Sequence, residues 1–175
     1  MKTLGMTHFT SPSATGSKRL LNPSLPMRTL ARSHFRADLK AFAQVLLPQI
    51  VRQSWSPLHR WLIRRHQQKT ALPLHQRAGT LDVTLAPRGA AKSSLVSLIF
   101  PLHAVLHSLE DYIILISATQ RQATQRLANL RAELIHNHAL RDLYPDAVRR
   151  ITRCSATTLE VNSVRIDAFG AGVEL

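Results

Sequence analysis

The sequence predicts an α/β fold with a parallel sheet, preceded by a basic helical segment. After residue 79, stretches typical of strands alternate with stretches of helical spacing, an order that requires right-handed crossovers in a doubly wound sheet. Up to residue 80, 13 lysines and arginines accompany one acid, Asp38, whereas ten basic residues and nine acids follow. The 175 residues, 45% of them apolar, suffice for one domain with a sizeable core.

Residues 1–29 predict a flexible basic tail, because Ser, Thr, Pro, Gly and basic residues mix there without periodicity. A transit peptide, or translation upstream of a start at Met27, are the alternatives for this stretch. For residues 30–79, the sequence predicts a helical lead-in segment. Its first helix runs from Leu30 to Val51, and Pro48 should end or kink it. Its second helix begins at Ser56-Pro57 and carries several arginines, which indicate a solvated face or a contact with DNA or a partner protein.

The first strand is predicted at 81–86, where apolar residues alternate. A helix follows from about Lys92, and Pro101 should kink or stop it. The continuous apolar run at 112–116 is typical of a strand covered on both faces. Thr119 and Gln122 form a capping box for the next helix, whose apolar face holds Ala123, Leu127, Leu130 and Leu134.

Two more strands are predicted at 158–161 and 164–168, joined by a tight turn at Asn162-Ser163. With them, residues 80–175 form one α/β unit. The composition argues against a membrane-spanning protein and against one stabilised by internal disulfides. No apolar run approaches the length of a membrane span, and a single cysteine, Cys154, cannot form an internal disulfide. We therefore expect a cytoplasmic protein with no membrane segment.

The segment from Leu85 to Ser93 lies between the first predicted strand and a predicted helix, the context of a phosphate-binding loop. Backbone N–H groups at the helix start would bind phosphate oxygens. Lys92 would reach the β- and γ-phosphates, and the Ser93 hydroxyl would bind Mg²⁺. Alanines occupy both usual glycine positions, so we expect a positive φ only at Gly89. An ordinary strand-to-helix turn with a basic cap is the alternative.

The run Ala86-Pro87-Arg88-Gly89-Ala90-Ala91-Lys92-Ser93 resembles the variant Walker A loop of phage terminase large subunits. Further segments resemble that family in order and spacing, over residues 56–175. They are 56–59, 101–103, 111–119, 122–123, 133–137 and 164–172.

This resemblance implies an incomplete three-layer P-loop NTPase core of the additional-strand type, with a partial ATPase domain at 80–175. It implies ATP and Mg²⁺ as cofactors, Arg88 and Lys92 as catalytic residues and Ser93 as the Mg²⁺ ligand. The implied nucleotide contacts are Pro87, Arg88, Gly89, Ala90, Ala91, Lys92, Ser93 and Ser94. An ordinary structural role for Arg88 is the alternative.

The resemblance also implies that ATP hydrolysis drives double-stranded DNA into a procapsid. The implied partners are the portal protein, the small terminase subunit and further copies in a ring, in the cytoplasm of a phage-infected or prophage-carrying bacterium. A non-catalytic basic DNA-binding or assembly protein with an ATPase-like scaffold is one alternative. A fragment of another P-loop helicase or translocase is the other.

The acidic strand that such a motor needs to hold Mg²⁺ and activate water is not found in the sequence. Asp167 is the nearest candidate, but Arg165 interrupts its apolar run. A nuclease domain is absent as well, so we expect a truncated chain with weak nucleotide binding and little turnover alone. His103 and His107 have the spacing of metal ligands on a helix, but a structural role is the preferred interpretation. Gln76 is the guess for an adenine contact.

Overall fold

Residues 24–87 and 89–172 are described by a computed structural model of the protein, and they form a mixed α/β fold. The helices are α1 (Leu25–Ala37), α2 (Leu39–Leu46), α3 (Pro57–Thr70), α4 (92–106), α5 (Gln120–His136), α6 (His138–Leu143) and α7 (Pro145–Arg149). The strands are β1 (Tyr112–Ser117), β2 (Ile151–Cys154), β3 (Thr158–Val161) and β4 (Val164–Gly170). The predicted α/β class is confirmed.

The four strands form a mixed sheet in the order β1, β4, β3, β2. Only β1 and β4 are parallel, and the other two pairs are antiparallel. The β3–β4 hairpin turns at Asn162 and Ser163, whose φ angles of 53° and 67° are those of a type I′ turn. Both strands and the turn predicted here are confirmed, whereas the parallel, doubly wound sheet is wrong for the described residues.

One face of β1 is open to solvent, contrary to the predicted coverage of both faces. Tyr112, Ile114 and Ile116 are 49%, 44% and 62% exposed, whereas Leu115 on the opposite face is 7% exposed. Helix α5 packs against β1 and β4 and accounts for the buried face. A continuous apolar run thus identified the strand correctly but not the number of layers around it.

The predicted strand at 81–86 is wrong, because this segment has no regular secondary structure. Leu81, Val83 and Leu85 are 90%, 74% and 92% exposed. A strand needs a hydrogen-bonded neighbour, and none of the described strands lies beside it. Instead Asp82 pairs with Lys69 and with Arg65 of α3, the latter at 3.2 Å. The hydrogen bond from Lys69 is the main reason that the pKa of Asp82 is lowered.

The single helix predicted from Leu30 to Val51 is two helices. They part at Asp38, whose Oδ1 accepts hydrogen bonds from the N–H groups of Lys40 (2.9 Å) and Ala41 (3.1 Å) and caps α2. Helix α2 ends at Leu46, ahead of Pro48. Helix α1 begins at Leu25, so residues 25–29 of the predicted tail are helical, and residues 1–23 lie outside the described part.

Helix α4 begins at Lys92, as predicted, but Pro101 does not stop it. Its successive parts are α-helical Lys92–Ser94, π-helical Leu95–Ile99 and α-helical Phe100–Leu106. The wide π turn lies directly before the proline, which lacks a backbone N–H to donate. Leu95, Ile99 and Leu102 are each at most 2% exposed and anchor the helix in the core.

Helix α5 confirms its predicted N-cap residue and apolar face, but only one of the two hydrogen bonds of the predicted capping box is present. The Thr119 hydroxyl accepts a hydrogen bond from the N–H of Gln122 at 3.3 Å. The four residues predicted to face the core are each at most 2% exposed: Ala123, Leu127, Leu130 and Leu134. They pack in one cluster with the sheet and the other helices. Removing this much apolar surface from water is the main stabilising contribution of the helix.

Three histidines lie together in this core. His103 Nε2 donates to the carbonyl of Phe35 at 3.0 Å, which leaves Nδ1 to accept from His66 Nε2 at 3.4 Å. His107 Nε2 lies 3.1 Å from the hydroxyl of Tyr144. Burial lowers the pKa of His66 to about 3, that of His103 to about 4 and that of His107 to about 3. The histidines are therefore neutral packing residues at pH 7.

We predict that the free energy of unfolding falls as the pH drops from 6.5 towards 5. Below 6.5 the unfolded chain binds protons at these histidines, whereas the folded chain does so only near pH 3 to 4. Each histidine contributes up to about 1.4 kcal/mol per pH unit. Urea unfolding at pH 7.5, 6.5, 5.8 and 5.0 measures this dependence.

The variant His107→Phe should remove about a third of that slope. The control His75→Gln changes an exposed histidine and should leave the slope unchanged. A denaturation midpoint that stays constant from pH 7.5 to 5.0 would contradict the buried, neutral cluster.

Candidate phosphate-binding site

The loop from Ala86 to Lys92 is closed by the side chain of Lys92. Its Nζ donates hydrogen bonds to the carbonyl oxygens of Ala86 at 2.9 Å and Pro87 at 3.1 Å. Lys92 is the last residue of the loop, and its ammonium group therefore reaches back to the first residues of the loop. Lys92 is only partly buried, so its charge is accessible to a ligand.

Two of the described residues of the loop are left-handed. Gly89 has a φ of 82°, the positive value expected for it, and Ala91 has a φ of 48°. The prediction that Gly89 alone would be left-handed is therefore wrong. An L-residue in this conformation is strained, because its Cβ approaches the following carbonyl oxygen. Such strain is characteristic of functional loops, where the surroundings hold an unfavourable conformation.

The first turn of α4 presents its backbone amides without a capping side chain. Ala91 is the N-cap, and no side chain accepts a hydrogen bond there. Ser93 and Ser94 are both exposed. The first N–H groups of a helix lack intrahelical partners and carry partial positive charge. The helix continues for 15 residues, from 92 to 106, and its interior part is fixed in the core. This end therefore offers fixed donors to an anion.

His59 anchors the loop to α3, a contact that the sequence analysis missed. The Nδ1 atom of His59 accepts from the N–H of Ser56 at 3.4 Å, which places the proton on Nε2. Nε2 then donates to the carbonyl of Ala90 at 2.8 Å. The reciprocal bond, from the N–H of His59 to the Ser56 hydroxyl, completes a capping box. The only sequence signal was Ser56-Pro57 as a helix start.

A cavity of about 250 Å³ adjoins the start of α4. Ala91 and Ser94 line one side of it, and Trp55 and His59 line another. The rings of Trp55 and His59 meet edge to face, with centroids 6.0 Å apart. The connector at 50–54 and the core residues Leu95 and Ile99 complete the lining, and Gln76, the predicted adenine contact, is not among these residues. The cavity and the exposed helix start therefore form one continuous recess.

The predicted site residues lie together in this loop, with one exception. Pro87, Gly89 and Ala90 form its bend, and Ala91, Lys92, Ser93 and Ser94 form the start of α4. Arg88 lies outside the described residues. The roles of these residues stay predictions.

Asp167, the nearest candidate for the acidic strand end, has its carboxylate occupied within the sheet. Oδ1 accepts from the Thr158 hydroxyl at 2.7 Å, and Oδ2 accepts from the Tyr112 hydroxyl and Arg165 Nε, each at 2.8 Å. Burial raises the pKa of Asp167, but the hydrogen bonds outweigh this effect and leave the pKa lowered. In the part of the chain that is described, no cluster of His, Cys, Asp or Glu could hold a metal ion.

No protein-family profile, no curated protein and no solved structure matches this sequence. The terminase resemblance therefore stays a prediction. Within residues 24–87 and 89–172, no helix combines the length and apolar character needed to cross a membrane.

We predict that Ala91→Gly stabilises the protein by about 0.5 kcal/mol. The left-handed conformation costs alanine about 1–2 kcal/mol, and the greater freedom of glycine in the unfolded chain offsets about 0.5–1 kcal/mol of that relief. Ala90→Gly is the matched control, because Ala90 has no positive φ, and it should lose about 0.5–1 kcal/mol. Urea unfolding measures both variants, and an Ala91→Gly protein no more stable than the Ala90→Gly protein would contradict this loop geometry.

Proposed function

We propose that residues 86–94 bind the phosphates of ATP, and that the chain is the ATP-binding part of a DNA-packaging motor like the phage terminase large subunit. The position of Lys92 carries the proposal. Its ammonium reaches back to the carbonyls of Ala86 and Pro87, across the mouth of a loop that leads into an uncapped helix.

Phosphate binding would exchange partners within this arrangement. The Lys92 ammonium would leave the two carbonyl oxygens for phosphate oxygens, a stronger, charge-assisted contact. The N–H groups at the start of α4 would supply further donors, and the helix dipole would favour the anion. Arg88, by the resemblance, would add a planar cation near the γ-phosphate. Each of these groups would interact only with the negative charge of the phosphates.

The exposed Ser93 hydroxyl follows Lys92 directly and would bind Mg²⁺. Mg²⁺ usually keeps several waters and takes its remaining oxygens from the phosphates, so one protein hydroxyl is a sufficient ligand from this loop. The metal would neutralise phosphate charge during transfer. No cluster of His, Cys, Asp or Glu in the described residues could hold a metal ion, and the sequence lacks the acidic strand that such a motor needs, so we propose binding with little turnover by this chain alone.

In this proposal the cavity beside the loop binds the nucleobase of ATP. Its volume of about 250 Å³, with Trp55 and His59 on one wall, would accept the nucleobase. Aromatic and apolar walls with a few polar groups are typical of small-molecule sites. His59 would then serve two purposes, because it also holds the loop through the carbonyl of Ala90.

The complete motor would need more than the described fold contains. A three-layer P-loop core requires a strand at the free edge of β1 and a layer over the exposed face that carries Ile114 and Ile116. Double-stranded DNA, the portal protein, the small subunit and a ring of copies are partners in this proposal. The high basic charge of the first 80 residues supports the DNA partner.

A non-catalytic role in DNA binding or assembly is the second candidate. One observation favours it: the carboxylate of Asp167, the acid considered for the metal, accepts hydrogen bonds from Thr158 and Arg165 within the sheet. Under this alternative the loop would bind phosphate weakly or not at all, so nucleotide binding separates the two candidates.

We predict that Lys92→Ala weakens binding of a fluorescent ATP analogue, in the presence of Mg²⁺, by about 10- to 100-fold. A hydrogen bond to a charged group contributes about 1.5–3 kcal/mol, and each 1.4 kcal/mol is about tenfold in affinity. Fluorescence anisotropy with the full chain measures the dissociation constant.

Lys40→Ala is the matched control, because it removes the same charge from α2. Screening of distant charges should keep its affinity within about twofold of the unmodified chain. Equal affinities for all three proteins, or equal losses in both variants, would overturn the proposed function.

A further inference from the structure

A polar groove lies between α1 and α3, away from the residues that form the loop. It has a volume of about 540 Å³, and Ser33, Arg36, Arg64 and Gln68 line it. The side-chain amide of Gln67 donates to the carbonyl of Ala37 and joins the two helices at this groove. The two walls are therefore held together by a direct contact.

Both walls of the groove are basic. Neither α1 nor α3 contains an acid, whereas they carry seven arginines and lysines: Arg28, Arg32, Arg36, Arg60, Arg64, Arg65 and Lys69. The nearest acid in sequence, Asp38, gives its Oδ1 to the N-terminal amides of α2. Its charge is thus partly offset by another helix end. The net field at the groove attracts anions.

Two arginines of the groove differ in how they are held. Arg36 donates through Nη1 to the carbonyl of His107 at 2.8 Å, which fixes its guanidinium and leaves further N–H groups to donate. Arg64 is exposed, and it makes no hydrogen bond or ion pair with any residue of the described part. By contrast, Arg65 and Lys69 are neutralised by Asp82. Arg36 and Arg64 are therefore the charges that a ligand would meet.

The remaining groups of the groove suit a phosphodiester backbone. Guanidinium, amide and hydroxyl groups are the side chains that contact phosphate and sugar in protein–DNA complexes. The groove offers the first two, from Arg36 and Arg64 and from Gln68, whereas the one O–H of Ser33 is donated to the carbonyl of Leu30. No large apolar side chain lines it, so it lacks the residues that would enter a lipid layer.

We propose that the groove between α1 and α3 binds the backbone of double-stranded DNA, with Arg36 and Arg64 contacting phosphates. This inference rests on the proposed function only for the choice of DNA among polyanions. Because the contacts are to phosphate, binding is independent of base sequence and weakens steeply with salt.

The test compares two double variants of the full chain without nucleotide. Arg36→Gln with Arg64→Gln removes two charges from the groove. Arg121→Gln with Arg153→Gln removes two charges from exposed sites on α5 and β2. Both variants keep residues 1–23, so any contribution of that basic segment is the same.

Binding of a fluorescent DNA duplex is measured by anisotropy at several salt concentrations. The groove variant should lose roughly tenfold in affinity at about 0.1 M salt, and its log–log salt slope should fall by about 2, close to one per phosphate contact. The control variant should keep the slope of the unmodified chain. Arg64→Gln alone should lower the slope by about 1 and cannot disturb folding through a lost partner.

A groove variant that binds DNA as the control does would overturn the inference, and so would a chain that does not bind duplex DNA. Binding to vesicles with anionic lipid headgroups that is lost in the groove variant, without binding to DNA, would assign the groove to a membrane surface and also overturn it. Lys92→Ala separates this test from that of the proposed function, because it should leave DNA binding within about twofold.

Discussion

The geometry of the candidate site depends on the ammonium of Lys92 and the two carbonyl oxygens that it contacts. The side chain spans the loop from its last residue to its first, and it draws Ala86 and Pro87 towards the start of α4. His59 holds the middle of the loop from the other side, through the carbonyl of Ala90. These two contacts act together with the hydrogen bond from the N–H of Leu95 to the carbonyl of Ala91, the residue in the strained conformation.

Helix α3 links the two sites proposed here. Its first turn contains His59, which holds the phosphate-binding loop, and its later turns contain Arg64 and Gln68, which line the basic groove. The 14 residues of α3 span about 21 Å. This shared helix gives the basic front part of the chain a physical connection to the loop.

Local signals were enough to predict β1, α5, the β3–β4 hairpin and the start of α4. Their caps, turn residues and apolar faces lie within each element. Two of the predictions that failed depended on distant partners. The segment at 81–86 has the alternating apolar residues of a strand, but no described strand lies beside it. The face of β1 that includes Ile114 is exposed, because no described helix packs over it. For the site, the loop residues were predicted, but His59 was not, because its contact with Ala90 joins residues 31 positions apart.

The most direct test of the account is an NMR titration of the full, ¹⁵N-labelled chain with ATP and Mg²⁺. Phosphates at the start of α4 should shift the backbone amide signals of Gly89, Lys92, Ser93 and Ser94, because these N–H groups would gain charged acceptors. The amide signals of α1 and of the sheet should move little in comparison. Unchanged loop signals at millimolar ATP, or shifts confined to the arginines of α1 and α3, would contradict phosphate binding by this loop.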